Sequence, residues 1–143
     1  MFIGEYKHNL DAKGRLAIPA KFRDELKGGA VVTRGIDNCL TLYTLQQWQK
    51  IADQLANLPT SNPSARAFAR LMLAGAMAVD IDRVGRIIIP QYLRKFAHLS
   101  QAVVIAGLYN RIELWNEKEW QAYQAKAEKD TGNIAGKLTE LGV

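Results

Sequence analysis

The sequence predicts an α+β fold of two tandem, β-rich units that are related by pseudo-symmetry. The main observation is a stretch that occurs twice, as DAKGRLAIPAKFR over residues 11–23 and as DRVGRIIIPQYLR over residues 82–94. Both copies carry Asp, Gly-Arg, Ile-Pro and a final Arg at the same places. Identical residues continue outside the motif at nearly the same offset, for example Ala-Val-Val at 30–32 and at 102–104. A repeat of this kind indicates a duplicated structural unit.

The chain divides into two units, a connection and a tail. We place unit 1 at residues 1–60 and unit 2 at residues 74–124. Residues 61–73 form the linker or a linker helix, because the stretch PTSNP at 59–63 is dense in turn-forming residues. Residues 125–143 have no counterpart in unit 1 and are predicted to form a C-terminal helical tail.

Each unit is predicted to contain the same elements in the same order. In unit 1 a strand at 2–10 is followed by an Asp-Gly turn and a return strand at 15–18, which predicts a hairpin with Lys13 and Arg15 at its bend. A short helix begins after the Ile-Pro pair, since proline can occupy the first turn of a helix. Two further strands follow, and then a longer helix. The corresponding strands of unit 2 are predicted at 74–81, 86–89, 102–106 and 112–115.

The tail contains a narrow apolar stripe. Ile134, Leu138 and Leu141 recur at helical spacing, while Gly132 and Gly136 weaken the helix. Two interpretations are open at this point, a frayed terminal helix and an arm that packs on another subunit.

Composition indicates a globular protein with a basic surface. Hydrophobic residues make up 48% of the 143 residues and charged residues 23%, with a net charge of +5. The excess lies in the first half, where residues 1–71 hold ten Lys or Arg against six Asp or Glu. Such a charge permits an anionic partner without requiring one.

The sequence offers no recognisable catalytic, metal or cofactor site. His8 and His98 stand apart from any carboxylate or cysteine at ligand spacing. Phosphate-binding glycine loops and nucleophile elbows are absent. Cys39, the only cysteine, lies in an apolar strand pattern and is expected in the core. With no secretory signal and no membrane span in the sequence, we expect a cytoplasmic protein.

The two Asp-Gly-Arg turns are the candidate binding site. A glycine in a turn can adopt a positive φ and lets a large partner come close. The neighbouring guanidinium can form paired hydrogen bonds with a phosphate or with the edge of guanine. The predicted DNA-binding residues are Arg15, Arg86, Lys13, Arg83 and Lys7, and the predicted loop-shaping residues are Asp11, Gly14, Asp82 and Gly85.

A purely structural role is an open alternative. Asp11 precedes Arg15 by four residues, and Asp82 precedes Arg86 by the same distance. Local ion pairs that hold each turn explain this spacing equally well. An RNA-binding module is a third possibility, but it usually exposes aromatic residues on a sheet. Here the aromatic residues lie mostly at helix starts and strand ends.

Several longer segments resemble the MraZ family, which has two tandem SpoVT–AbrB-type units and a duplicated DxxxR signature. The resemblance rests on MFIGEYKHNLDAKGRLAIP, LYTLQQW, RLMLAGAMAVDIDRVGRIIIP and ELWNEKEW. It covers all but about the last dozen residues. Asp11 with Arg15, and Asp82 with Arg86, fall on the two DxxxR motifs. One departure is that Lys13 becomes Val84 in the second copy, so the two loops are not expected to bind equally.

The resemblance implies a fold and a function. The fold is a pair of swapped-hairpin units that form a small barrel-like body with short helices. The function is sequence-specific binding of double-stranded DNA at repeated short promoter boxes, by a ring-like homo-oligomer that associates with the nucleoid. Such a protein represses its own operon, a division and cell-wall gene cluster. The alternative within the same hairpin superfamily is an antitoxin-like protein-interaction module.

Overall fold

Eight β-strands and six α-helices make up the structure, a computed structural model that describes residues 1–143. The strands are β1 Phe2–Asn9, β2 Arg15–Ala17, β3 Ala30–Arg34, β4 Leu40–Thr44, β5 Met77–Val79, β6 Arg86–Ile88, β7 Ala102–Tyr109 and β8 Ile112–Asn116. The helices are α1 Ala20–Arg23, α2 Leu45–Ala56, α3 Pro63–Ala69, α4 Gln91–Phe96, α5 Glu117–Lys129 and α6 Thr131–Glu140. The α+β class and the order of elements predicted for each half are confirmed.

The helices begin where the sequence predicts. Thr44, Asn62 and Asn116 each use a side-chain oxygen to accept a hydrogen bond from the backbone N–H three residues further on. This satisfies a donor that the first turn of a helix would otherwise leave without a partner. Pro19 and Pro90 stand directly before α1 and α4. Local chemistry therefore sets these boundaries.

Strands of the two units interleave in one antiparallel sheet of order β1-β7-β8-β4-β3-β5. β1 pairs with β7 over its whole length, from Phe2 opposite Tyr109 to Asn9 opposite Ala102. β5 is also antiparallel to a strand of the other unit, β3, from Ala30 opposite Val79 to Val32 opposite Met77. The first strand of each unit thus completes the sheet of the other unit, which confirms the swapped arrangement implied by the resemblance.

β2 and β6 form a separate two-stranded ribbon, with one strand from each unit. The register pairs Arg15 with Ile88, Leu16 with Ile87 and Ala17 with Arg86. The prediction of a hairpin between neighbouring strands is therefore wrong, because β1 and β2 share only one bridge, between Leu10 and Leu16. A turn motif limits how the chain reverses, but the buried apolar face decides which strand becomes the partner.

The sheet is open, so the expected barrel-like body is not present. Its two edges are β1, with eight residues, and β5, with three. β5 is short because Arg70–Ala74 continue α3 as a π-helical segment instead of entering the strand. Thr33 and Arg34 hold this segment by donating hydrogen bonds to the carbonyl oxygens of Met72 and Leu71. No long strand is left to close the sheet onto β1.

The main hydrophobic core joins the two units. Its residues at or next to the ribbon come in equivalent pairs that are almost completely buried: Leu16 and Ile87, Ile18 and Ile89, and Phe22 and Leu93. Cys39 is buried in a smaller cluster with Val104 and Trp115, as expected, and burial raises the pKa of its thiol to about 12. The units therefore share one interior.

Two helices, α5 and α6, make up the C-terminal part of the chain. α5 packs on Trp115 through Trp120 and Tyr123. α6 follows it and buries no side chain, so its apolar stripe faces outward.

Candidate nucleic-acid interface

Asp11 shapes the first loop, residues 11–15, which we call loop 1. Its Oδ1 accepts hydrogen bonds from the backbone N–H groups of Lys13 and Arg15, each at 2.9 Å. Its Oδ2 accepts from Nε of Arg15 at 2.6 Å. The backbone closes the turn, since the N–H of Gly14 donates to the carbonyl of Asp11 at 3.1 Å. One carboxylate therefore fixes both the turn and the direction of the arginine.

Loop 2, residues 82–86, repeats this geometry. Oδ1 of Asp82 accepts from the backbone N–H groups of Val84 at 3.0 Å and Arg86 at 2.9 Å. Oδ2 accepts from Nε of Arg86 at 3.0 Å. The N–H of Gly85 donates to the carbonyl of Asp82 at 3.0 Å. The local ion pairs considered as an alternative do exist, and they leave the rest of each guanidinium available.

These hydrogen bonds favour the ionised form of both carboxyl groups. The backbone N–H of Arg15 is the main cause that lowers the pKa of Asp11, and the backbone N–H of Arg86 has the same effect on the pKa of Asp82. Each aspartate binds its arginine through Nε. The Nη1 and Nη2 groups of both arginines therefore remain available, and none of them donates a hydrogen bond within the protein. Both side chains are about one third exposed. Each loop thus presents an oriented, partly exposed pair of N–H donor groups.

The loop glycines adopt a conformation that L side chains rarely take. The φ angle is +82° at Gly14 and +85° at Gly85. The space where a side chain would lie is occupied by an arginine of the other unit. A Cβ atom on Gly14 would lie 2.9 Å from Cζ of Arg94, and one on Gly85 would overlap Cζ of Arg23.

The final arginine of each motif therefore supports the loop of the opposite unit. Nε of Arg23 donates to the carbonyl of Ile18 at 2.8 Å, and the N–H of Ile18 donates to the carbonyl of Gly85 at 2.8 Å. The equivalent contacts in the other direction join Arg94, Ile89 and Gly14. Sequence reasoning noted these arginines as motif ends but did not place them in the site. Their position depends on the strand swap, which the local sequence does not reveal.

The ribbon places both DxxxR arginines on one face. Leu16 and Ile87 are 0% and 1% exposed and point into the core. Because side chains alternate along a strand, the flanking residues point outward. The register puts Arg15 and Arg86 at opposite corners of this outer face, with Cα atoms about 8 Å apart from strand geometry. The loops are thus two ends of one surface.

The other predicted cations lie in two places. Lys13 and Arg83 are exposed at the tips of the loops and take part in no ion pair. Lys7 lies on β1, where its Nζ is 3.1 Å from Oε2 of Glu117 in α5. The charge of Lys7 is therefore partly neutralised within the protein.

The structure contains no group of three or more His, Cys, Asp or Glu residues that could hold a metal ion. None of its helices is both long enough and apolar enough to cross a membrane.

Related proteins of known class match this chain along its whole length. Three proteins named "Transcriptional regulator MraZ" are similar over all 143 residues and over the full length of each relative. They are 48% identical in Halothermothrix orenii, 46% in Caldicellulosiruptor saccharolyticus and 43% in Acetivibrio thermocellus. The class is that of transcriptional regulators, which confirms the expectation of a regulator and not an enzyme.

The family follows from a second comparison. The sequence profile described as "MraZ protein, putative antitoxin-like" matches residues 1–71 and again residues 72–140. The chain belongs to the MraZ family. The double match also confirms the duplication inferred from the repeated motif.

Proposed function

We propose that the protein is a sequence-specific DNA-binding regulator that represses its own operon, a division and cell-wall gene cluster. It binds repeated short promoter boxes as a homo-oligomer. The observation that carries this proposal is the pair of aspartate-anchored arginines on the outer face of one ribbon. Their free Nη groups are the donors that DNA acceptors require.

Arg15 and Arg86 reach base edges or phosphates in the major groove. This groove admits a two-stranded β-ribbon, and a guanidinium can donate to both O6 and N7 of guanine. A separation of about 8 Å corresponds to two or three base steps, given a rise of about 3.4 Å per step. One subunit therefore reads one short box with both loops.

The remaining cations bind the DNA backbone. Lys13 and Arg83 extend from the loop tips without internal partners, so they can neutralise phosphates at no internal cost. Lys7 contributes less, because it must give up its ion pair with Glu117. Asp11 and Asp82 hold the arginines in place and do not contact DNA, since a carboxylate next to a phosphate is repelled.

Repeated boxes are bound by several subunits of a ring-like homo-oligomer. A single loop pair binds weakly, but linked loop pairs raise the effective concentration of each other on neighbouring boxes. The open edges β1 and β5 and the exposed stripe of α6 supply surfaces for subunit contacts. Such a protein acts in the cytoplasm, in association with the nucleoid.

The second candidate is an antitoxin-like protein-interaction module. The family description, "putative antitoxin-like", favours it. In this case the basic loops bind an acidic protein partner, and DNA affinity stays at the level expected for any basic surface.

Selection of bound fragments from DNA upstream of the gene, followed by footprinting, tests the proposal. We expect protected boxes at regular spacing, and an affinity that falls steeply with salt, by a slope of about 0.9 per neutralised phosphate. Equal binding to shuffled DNA of the same composition would contradict sequence-specific recognition and favour the alternative.

A further inference from the structure

The outer face of the β2–β6 ribbon carries an exposed isoleucine beside a DNA-reading arginine. Ile88 is directly opposite Arg15 in the register and is 60% exposed. Its neighbour Ile87 is 1% exposed, so alternation along β6 turns Ile88 away from the core. Ile88 therefore does little to stabilise the folded subunit.

Pseudo-symmetry places Ala17 at the equivalent position in unit 1. Ala17 faces Arg86 in the register, just as Ile88 faces Arg15. The face thus has arginines at one pair of opposite corners and aliphatic side chains at the other pair. The arginines are identical in the two units, whereas the aliphatic groups differ by three carbon atoms. The two ends of the face therefore differ in the size of their aliphatic side chain.

We propose that Ile88 is a specificity-determining residue that contacts the C5 methyl group of a thymine beside the base read by Arg15. This inference rests on the proposed DNA-binding function. Thymine is the only DNA base with a methyl group in the major groove, and apolar side chains recognise it there.

Geometry sets the position of this thymine. Side chains directly opposite each other on an antiparallel pair have Cβ atoms about 4.5–5.5 Å apart. Neighbouring base pairs are about 3.4 Å apart. If Arg15 reads a guanine, Ile88 lies over the next base pair or the one after it. The smaller Ala17 leaves more room beside Arg86, so the methyl contact there is weaker.

Removal of the thymine methyl group tests the contact directly. The probe is a duplex selected from a random-sequence library by the wild-type protein, synthesised with thymine or with uracil at each position. At one position the wild-type protein should bind the uracil duplex about fourfold more weakly, the effect expected for one buried methyl group. Ile88→Ala should lose most of this discrimination, because an alanine methyl group makes a weaker contact, as at Ala17. Ile88→Thr, which keeps the β-branch and one methyl group on it, is the second variant and should discriminate more strongly than Ile88→Ala.

Ile36→Ala is the matched control, because Ile36 is also an exposed isoleucine, with 70% of its surface accessible, but lies in the turn between β3 and β4. It should discriminate thymine from uracil as the wild-type protein does. Equal wild-type affinity for both duplexes at every position would overturn the proposal. So would full discrimination by Ile88→Ala, or a changed oligomeric state with discrimination intact. If the wild-type protein selects no sequence at all, the proposed function itself fails.

Discussion

Loop 1 and loop 2 share a framework and differ at their tips. In both, one aspartate accepts two backbone N–H groups and the arginine Nε, and the glycine has a φ between +82° and +85°. At the tips, the sequence Ala-Lys of loop 1 becomes Arg-Val in loop 2. The shared Asp, Gly and Arg fix the shape of each loop. The two residues at its tip determine where the additional cation and the apolar side chain lie. Duplication has therefore given one chain two equally shaped but chemically different loops.

The neighbouring strands differ more than the loops. β1 has eight residues and pairs completely with β7, whereas the equivalent β5 has three. The loops stay alike because each is supported by the final arginine of the other unit and by the shared ribbon. Support from the opposite unit makes the geometry of a loop independent of the strand that precedes it.

Truncation of the buried side chains of the shared ribbon should destabilise the protein more than any other change considered below. Leu16→Ala and Ile87→Ala should each lower the free energy of unfolding by about 2–5 kcal/mol, because each removes methyl groups from the common core. Chemical denaturation followed by circular dichroism should show one transition that both variants shift. Leu45→Ala, at an exposed position, is the control. Two transitions, with only one shifted by each variant, would show that the units fold separately.

Substitution of the two loop glycines should lower stability by less, and by different amounts at the two positions. Gly14→Ala and Gly85→Ala should each lower the free energy of unfolding by at least about 1–2 kcal/mol, the cost of a left-handed backbone for alanine, because the new Cβ atom must also displace its neighbours. Gly14→Ala should be the worse, since its Cβ atom also meets the carbonyl oxygen of Ile89 at 2.9 Å. At Gly85 the closest atoms belong to the flexible side chain of Arg23. Thermal unfolding of the two variants gives the order, and the reverse order would contradict this explanation.

The smallest effect concerns the tips. Lys13→Val should lower affinity for DNA of any sequence and reduce the slope of log affinity against log salt by about 0.9. Val84→Lys should increase both by a similar amount. The double variant exchanges the tip residues at constant net charge and is the control. Fluorescence anisotropy at several salt concentrations measures these changes, and unchanged slopes in both single variants would remove the tips from the phosphate contacts.

Much of the loop geometry could be predicted from the sequence. Asp, Gly and Arg at fixed spacing form a turn through short-range hydrogen bonds, so the motif alone indicates it. The helix caps were predictable for the same reason. The pairing of the strands was not predictable, because β1 contains no signal that favours β7 over β2. The contacts of Arg23 and Arg94, and the outward position of Ile88, depend on that choice and could only be seen in the fold.

The sequence also could not predict that the sheet is open. The apolar run before loop 2 suits a strand as well as a helix, since periodicity cannot separate the two in a short segment. Tertiary hydrogen bonds from Thr33 and Arg34 hold part of it as a π-helical segment.

We propose that both loops of one subunit read the same box. The most direct measurement is the affinity of Arg15→Ala and Arg86→Ala for a duplex with one selected box, by fluorescence anisotropy. Each variant should lose about 1–3 kcal/mol of binding free energy, the cost of one bidentate base contact. Arg70→Ala, which removes an exposed charge elsewhere, should lose far less. Wild-type affinity in either loop variant, with its fold intact, would contradict the claim.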